Sequence, residues 1–154
     1  MRKIIFSRSD GGLSVVHPVR NSYPNPETLS DDEIEKRAWA KLPADAIDPQ
    51  WVEEADIPTD RTFRDAWAHG GTSVNVDMTK AREIQRDHLR SIRAPMLAAL
   101  DVAYQRADES SDVAMKAQIA KNKQALRDVT ADPMIDAATT PEELKAVMPD
   151  VLKT

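Results

Sequence analysis

The sequence contains no cysteine, which excludes disulfides, thiolate metal ligands and a cysteine nucleophile together. Glycine is nearly as scarce. Its four copies stand as two pairs, Gly11-Gly12 and Gly70-Gly71, so no phosphate-cradling loop of the usual spacing can be built, and turn duty accounts for all of them. Aromatic residues amount to three Trp, two Tyr and two Phe. The core must therefore come largely from Ala, Leu, Ile, Val and Met, which suits helix-on-helix packing better than a β-sandwich. No run approaches the roughly 20 apolar residues of a membrane span. The start, "MRKIIFSRSDGG", is basic, but its apolar run is far too short for a secretory leader. His17, His69 and His88 fall in different expected elements with no His-x-x-x-His or Glu-x-x-His spacing, a pattern of surface or half-buried rings rather than metal ligands. No Gly-x-Ser-x-Gly elbow singles out a serine. The expectation is a protein with no catalytic residues, no metal and no cofactor, hence not an enzyme.

Charge is plentiful, at 31% of residues, and unevenly placed. Residues 1–60 carry 7 basic and 12 acidic side chains, whereas residues 61–154 carry 14 of each. Two differently charged parts suggest two domains, 1–60 and 61–154, joined at the polar "PTDRTF". An acidic first part and a pI near 5.2 make nucleic acid an unfavourable partner, because phosphate binding needs net positive surface.

Local patterns give an α+β fold. "RKIIFSR" and "LSVVHPV" flank "SDGG", whose residues supply the positive φ angles of a tight hairpin. After the Pro- and Asn-rich "NSYPNPET", the run "SDDE" predicts an N-cap at Ser30 and a helix to about Lys41, with Ile34, Ala38 and Leu42 turned inward. "QWVEEADI" predicts a third strand and completes a small ββαβ unit. A turn at residues 69–71 and an extended piece at residues 72–76 follow, and Asp77 or Thr79 is placed to cap the next helix.

Residues 79–108 predict a long helix on which Leu89, Ile92, Met96, Ala99 and Ala103 repeat at 3, 4, 3, 4, widened by Leu97, Leu100 and Tyr104. Pro95 removes the amide that would bond Ser91, so a kink or break is expected at Arg93-Ala94. Beyond "ADESSD", residues 112–128 predict a second helix with Met115, Ile119, Asn122, Leu126 and Val129 as its seam. The short connection makes the pair an antiparallel helical hairpin. Asn122 either sets the register from within the seam or lies at its rim. Asp132-Pro133 ends the run, and Thr140, Pro141 and Glu143 form a capping box that opens a short C-terminal helix.

Arg82, Arg86, Arg90 and Arg93 recur at i, i+4, i+8 and i+11. They form a basic stripe suited either to an acidic partner surface or to pairing with Glu83 and Asp87 along a solvated face. Trp67, with Phe63 four residues before it, is expected to plug the joint between the two domains.

The segment "LRSIRAPMLAALD" followed by "IAKNKQALRDVTADP" resembles the C-terminal part of tail assembly chaperones and tail-fibre assembly proteins of tailed bacteriophages. There an arginine-rich helix enters a leucine-rich segment, and a second helix ends in Gln-x-Leu-Arg-Asp before proline. The matching positions are Arg90, Arg93, Leu97, Asp101, Gln124, Leu126, Arg127, Asp128 and Pro133. The whole chain is also similar to small uncharacterised prophage proteins of proteobacteria. "LDVAYQ" departs from the family's Thr-Asp-Trp at this place. The resemblance implies protein–protein interaction in tail or tail-fibre assembly, in the host cytoplasm. Together with the basic stripe, which adds Arg82 and Arg86, it makes Arg82, Arg86, Arg90, Arg93, Arg127 and Asp128 the expected partner-binding residues; a homo-oligomer is allowed, and the lack of a long apolar run leaves no membrane partner. The alternatives are a structural virion component, such as a minor tail, collar or capsid-decorating protein, and a nucleic-acid-binding regulator.

Overall fold

The structure, a computed structural model, describes residues 1–20 and 29–153. The loop expected at residues 21–28 lies outside the described residues. The architecture is α+β, a small antiparallel sheet followed by a helical hairpin and short C-terminal helices, and the chain divides into two compact units, Met1–Asp77 and Met78–Thr154.

In the first unit, β1 (Lys3–Ser7), β2 (Leu13–Val16) and β3 (Ile47–Val52) form one antiparallel sheet in the order β2-β1-β3. The Asp-Gly-Gly turn closes the first hairpin as expected. Asp10 Oδ1 accepts from Gly12 N at 2.8 Å, and Gly11 takes φ +77°, a conformation a side chain would strain. α1 (Asp31–Ala40) starts at Ser30, whose hydroxyl accepts from Glu33 N, and it buries Ile34. Alternation along β1 then separates two faces. Ile4 lies opposite Trp51, which stacks on Trp39 of α1 at 5.4 Å, while Arg2 donates to Glu35 at 2.6 to 3.1 Å and ties the same face to the helix. Ile5 points the other way and packs with Val52, Trp67 and Val74.

Two expectations are corrected here. The third strand begins at Ile47 rather than Gln50 and ends before the 3₁₀ turn at Glu54–Asp56. Pro49 is accepted because β3 is an edge strand and its register against β1 shifts at this point, between the Ile5–Gln50 and Ser7–Ile47 pairs. The domain boundary falls at Asp77/Met78 rather than after residue 60. β4 (Trp67–His69) and β5 (Val74–Val76) pair as a hairpin whose Trp67 and Val74 complete the core around Ile5. Trp67, expected at the joint after residue 60, is thus a core residue of the first unit, packed with Ile5 and Val52 from before that point and Val74 from after it. Its indole N–H is buried and meets no acceptor among the described residues.

The second unit is built on α2 (Met78–Glu109), α3 (Val113–Asp128), α4 (Pro133–Ala137) and α5 (Pro141–Ala146). Of the kink or break expected at Arg93-Ala94, a break does not occur: α2 continues through Pro95. Proline deletes one amide, but the ring is exposed, and Arg93 fastens this stretch to the end of α3 by donating to the carbonyls of Leu126 and Arg127. Asp132-Pro133 ends one helix and opens another, Asp132 accepting from Met134 N at 2.9 Å with Pro133 in the first turn of α4. The capping box of Thr140 and Glu143 opens α5 as expected. Leu89, Ile135 and Leu144 are fully buried and mark the core of this unit.

Candidate partner-binding surface of the helical hairpin

Ile119, Leu126 and Val129 of the expected α3 seam are buried, and two of its positions, Met115 and Asn122, are not. Met115 is 50% exposed and Asn122 is exposed, its Oδ1 accepting from Gln118 Nε2 at 2.9 Å. Asn122 is therefore a surface amide. The positions beside Ile119 and Leu126 are taken by Lys116 and Lys123, whose ammonium groups each lie 5.5 Å from the Tyr104 ring centroid and pair with Asp108 and Asp101. Lysine stems cover the aromatic ring while their heads stay in water.

The arginines are placed very differently from an open stripe. Arg93 Nη1 donates to the carbonyls of Leu126 and Arg127 at 3.2 and 2.6 Å, in the last turn of α3. Arg86 Nε donates to Thr130 O at 3.3 Å, and its terminal nitrogens pair with Glu83 at 2.6 Å and Asp136 at 2.7 Å. The hydrogen bond to Asp136 is the main cause that raises the Arg86 pKa above its ordinary value. Arg82 donates to Ile135 O at 3.2 Å and Ala138 O at 3.0 Å, at the end of α4. Helix C-termini leave carbonyls without intrahelical donors, and these three guanidiniums supply them in order as the chain runs back along α2. Gln85, which sequence reasoning did not single out, joins the same series: only 2% exposed, it donates to Val147 O at 2.8 Å, just past α5. A polar residue at a helical core position was its one visible signal.

Three of the six expected contact residues remain on the surface. Arg90 pairs only with Asp87, at 2.5 Å, among the described residues. Arg127 is exposed, and Asp128 is exposed and accepts from Gln124 at 2.8 Å. Arg82, Arg86 and Arg93 are half-buried clamps.

Among the described residues no group of three or more His, Cys, Asp or Glu could hold a metal ion, and no helix is long and apolar enough to cross a membrane. His69 is engaged in the fold, its Nε2 meeting Asp48 O at 2.9 Å and its Nδ1 accepting from Gly71 N at 3.2 Å. Comparison with protein-family models, with curated proteins and with solved structures finds no match to this chain.

Proposed function

We propose that this protein is a non-enzymatic assembly factor of a tailed bacteriophage, which binds tail or tail-fibre proteins through its helical hairpin. One observation carries the reading. Of the two segments that resemble tail assembly chaperones, residues 89–101 lie on α2, and residues 119–128 of the second lie on α3 of the same antiparallel hairpin, with 129–133 in the turn that follows, which supports reading the hairpin as the contact surface. On that surface Arg90, Arg127 and Asp128 remain available at the rim, where charged residues set partner choice and encounter rate.

The test is capture of tail and tail-fibre proteins from the same phage genome by the tagged full chain. The double variant Arg90→Glu, Arg127→Glu is expected to lower recovery about tenfold while leaving the helical circular dichroism unchanged. Unchanged recovery would remove the rim from the proposal. Mass spectrometry of particles and lysate separates the two assembly roles. An assembly factor is found in infected cells and not in purified particles, whereas fixed stoichiometry in particles would make the protein a virion component instead.

A further inference from the structure

The hairpin has two flanks of opposite character. Asp101 with Lys123 and Asp108 with Lys116 mark one of them as a band of ion pairs between α2 and α3. Helical geometry places the residue preceding each seam position about 100° round from it. Ile92, Met96, Ala99 and Ala103 of α2, with Met115 and Asn122 of α3, therefore line the opposite flank. At the base of the hairpin this flank is closed by the chain itself, where Gln85 bonds Val147 and Val129 is buried. Beyond Leu89 it is open: Ile92, Met96 and Ala103 are half-buried, and Ala99 and Met115 are exposed.

Its composition is unusual for a chain in which 31% of residues are charged. Along the helical positions of the flank, from Ile92 to Ala103 and from Met115 to Ala125, no flank residue is charged; Arg106 and Asp112, which accepts from Met115 N, stand at the tip of the hairpin with opposite signs. Depletion of charge, enrichment of Met and an arginine at the edge are features of protein interfaces. Ala99 and Ala103, four residues apart, allow close helix approach.

We propose that this flank binds the same flank of a second copy of the chain, pairing two hairpins about a two-fold axis as a four-helix assembly. Charge selects this occupant. A two-fold contact sets a surface against itself, so any like charge is doubled, and here there is almost none to double. The unit that bears the flank, residues 78–154, carries 12 basic and 12 acidic side chains and is neutral. The Gln118–Asn122 amide pair is self-complementary, since each amide both donates and accepts. The proposal is independent of the tail reading, whose contact residues Arg90 and Arg127 lie on the ion-paired side.

Multi-angle light scattering of the full chain at about 100 µM is expected to give twice the 17.2 kDa chain mass. That mass is expected to hold between roughly 0.1 and 0.5 M NaCl, because no ion pair spans the contact. Ala99→Glu buries a charge in the contact and is expected to weaken association by about 100-fold or more, leaving the chain monomeric. Ala98→Glu makes the same change on an exposed position of the other side of α2 and is expected to leave the dimer intact; far-ultraviolet circular dichroism verifies that both variants are folded. A monomeric wild type, a dimer lost with salt, or equal behaviour of the two folded variants would overturn the proposal. The first of these results would reassign the flank to a different protein.

Discussion

Arg93 and Arg90 sit three residues apart on α2 and do different work. The Arg93 guanidinium satisfies two carbonyls at the end of α3, whereas the side chain of Arg90 is half in water beside Asp87. Arg93→Ala is expected to cost about 1–3 kcal/mol, the penalty of unpaired polar groups. Arg90→Ala should stay within about 0.5 kcal/mol, as an exposed ion pair does. Urea unfolding followed at 222 nm distinguishes the two. His17 adds a pH dependence. Burial, followed by the nearby positive charges of Lys3 and Arg61, lowers its pKa, so the fold favours the neutral ring. The unfolded chain takes up a proton as pH falls below roughly 6.5 while the folded chain still resists it. Stability is therefore expected to decline from pH 7 toward the lowered folded pKa and then to lose that dependence, and His17→Gln should abolish this part of the profile. Urea midpoints between pH 5 and 7.5 check it.

At the scale of elements, α2 keeps its helical course across Pro95 without the amide bond to Ser91, whose hydroxyl donates to His88 O at 2.7 Å. Pro95→Ala restores that bond and removes the clash with the preceding turn, and is expected to raise stability by about 1–2 kcal/mol, seen as a higher thermal midpoint. Leu89→Ala and Leu144→Ala, at fully buried positions, are each expected to cost about 2–5 kcal/mol. The elements themselves were largely readable. Ser30, the Asp10-Gly11-Gly12 turn, and Thr140 with Pro141 and Glu143 are local signals whose partners lie within three residues. Of the α3 seam, Ile119, Leu126 and Val129 were readable, and the positions before and between them, Met115 and Asn122, were not. Hydrophobicity favours Met115 and Asn122 lies on its repeat, but the aliphatic stems of Lys116 and Lys123 cover Tyr104 instead, and a scale that counts lysine as polar cannot register this. The roles of Arg82, Arg86, Arg93 and Gln85 were hidden for another reason. Their acceptors include main-chain carbonyls, which every residue offers and no motif announces.

For the whole molecule, charge separates along the chain. Residues 1–77 carry 9 basic and 14 acidic side chains, so the net charge of −5 belongs entirely to the first unit. With a neutral second unit and three of its arginines committed to internal acceptors, the chain is expected to pass through a heparin column without retention at about 0.15 M salt. Salt-sensitive retention would favour the nucleic-acid regulator over the assembly factor. All three tryptophans, Trp39, Trp51 and Trp67, also lie in the first unit, so indole fluorescence reports on that unit while most of the helical signal comes from the other.

The clamps along α2 impose a spacing rule on descendants of this chain. Because a guanidinium that grips a carbonyl is indifferent to the side chain beside it, residues 126–138 are free to drift in identity at their exposed positions other than Asp136, whose carboxylate pairs with Arg86. The intervals separating Arg82, Arg86 and Arg93 are not free. Inserting one residue between the last two would swing the later grip by a quarter turn and more, so variation should accumulate as substitutions in the gripped segment and not as changes of length in the helix that holds it.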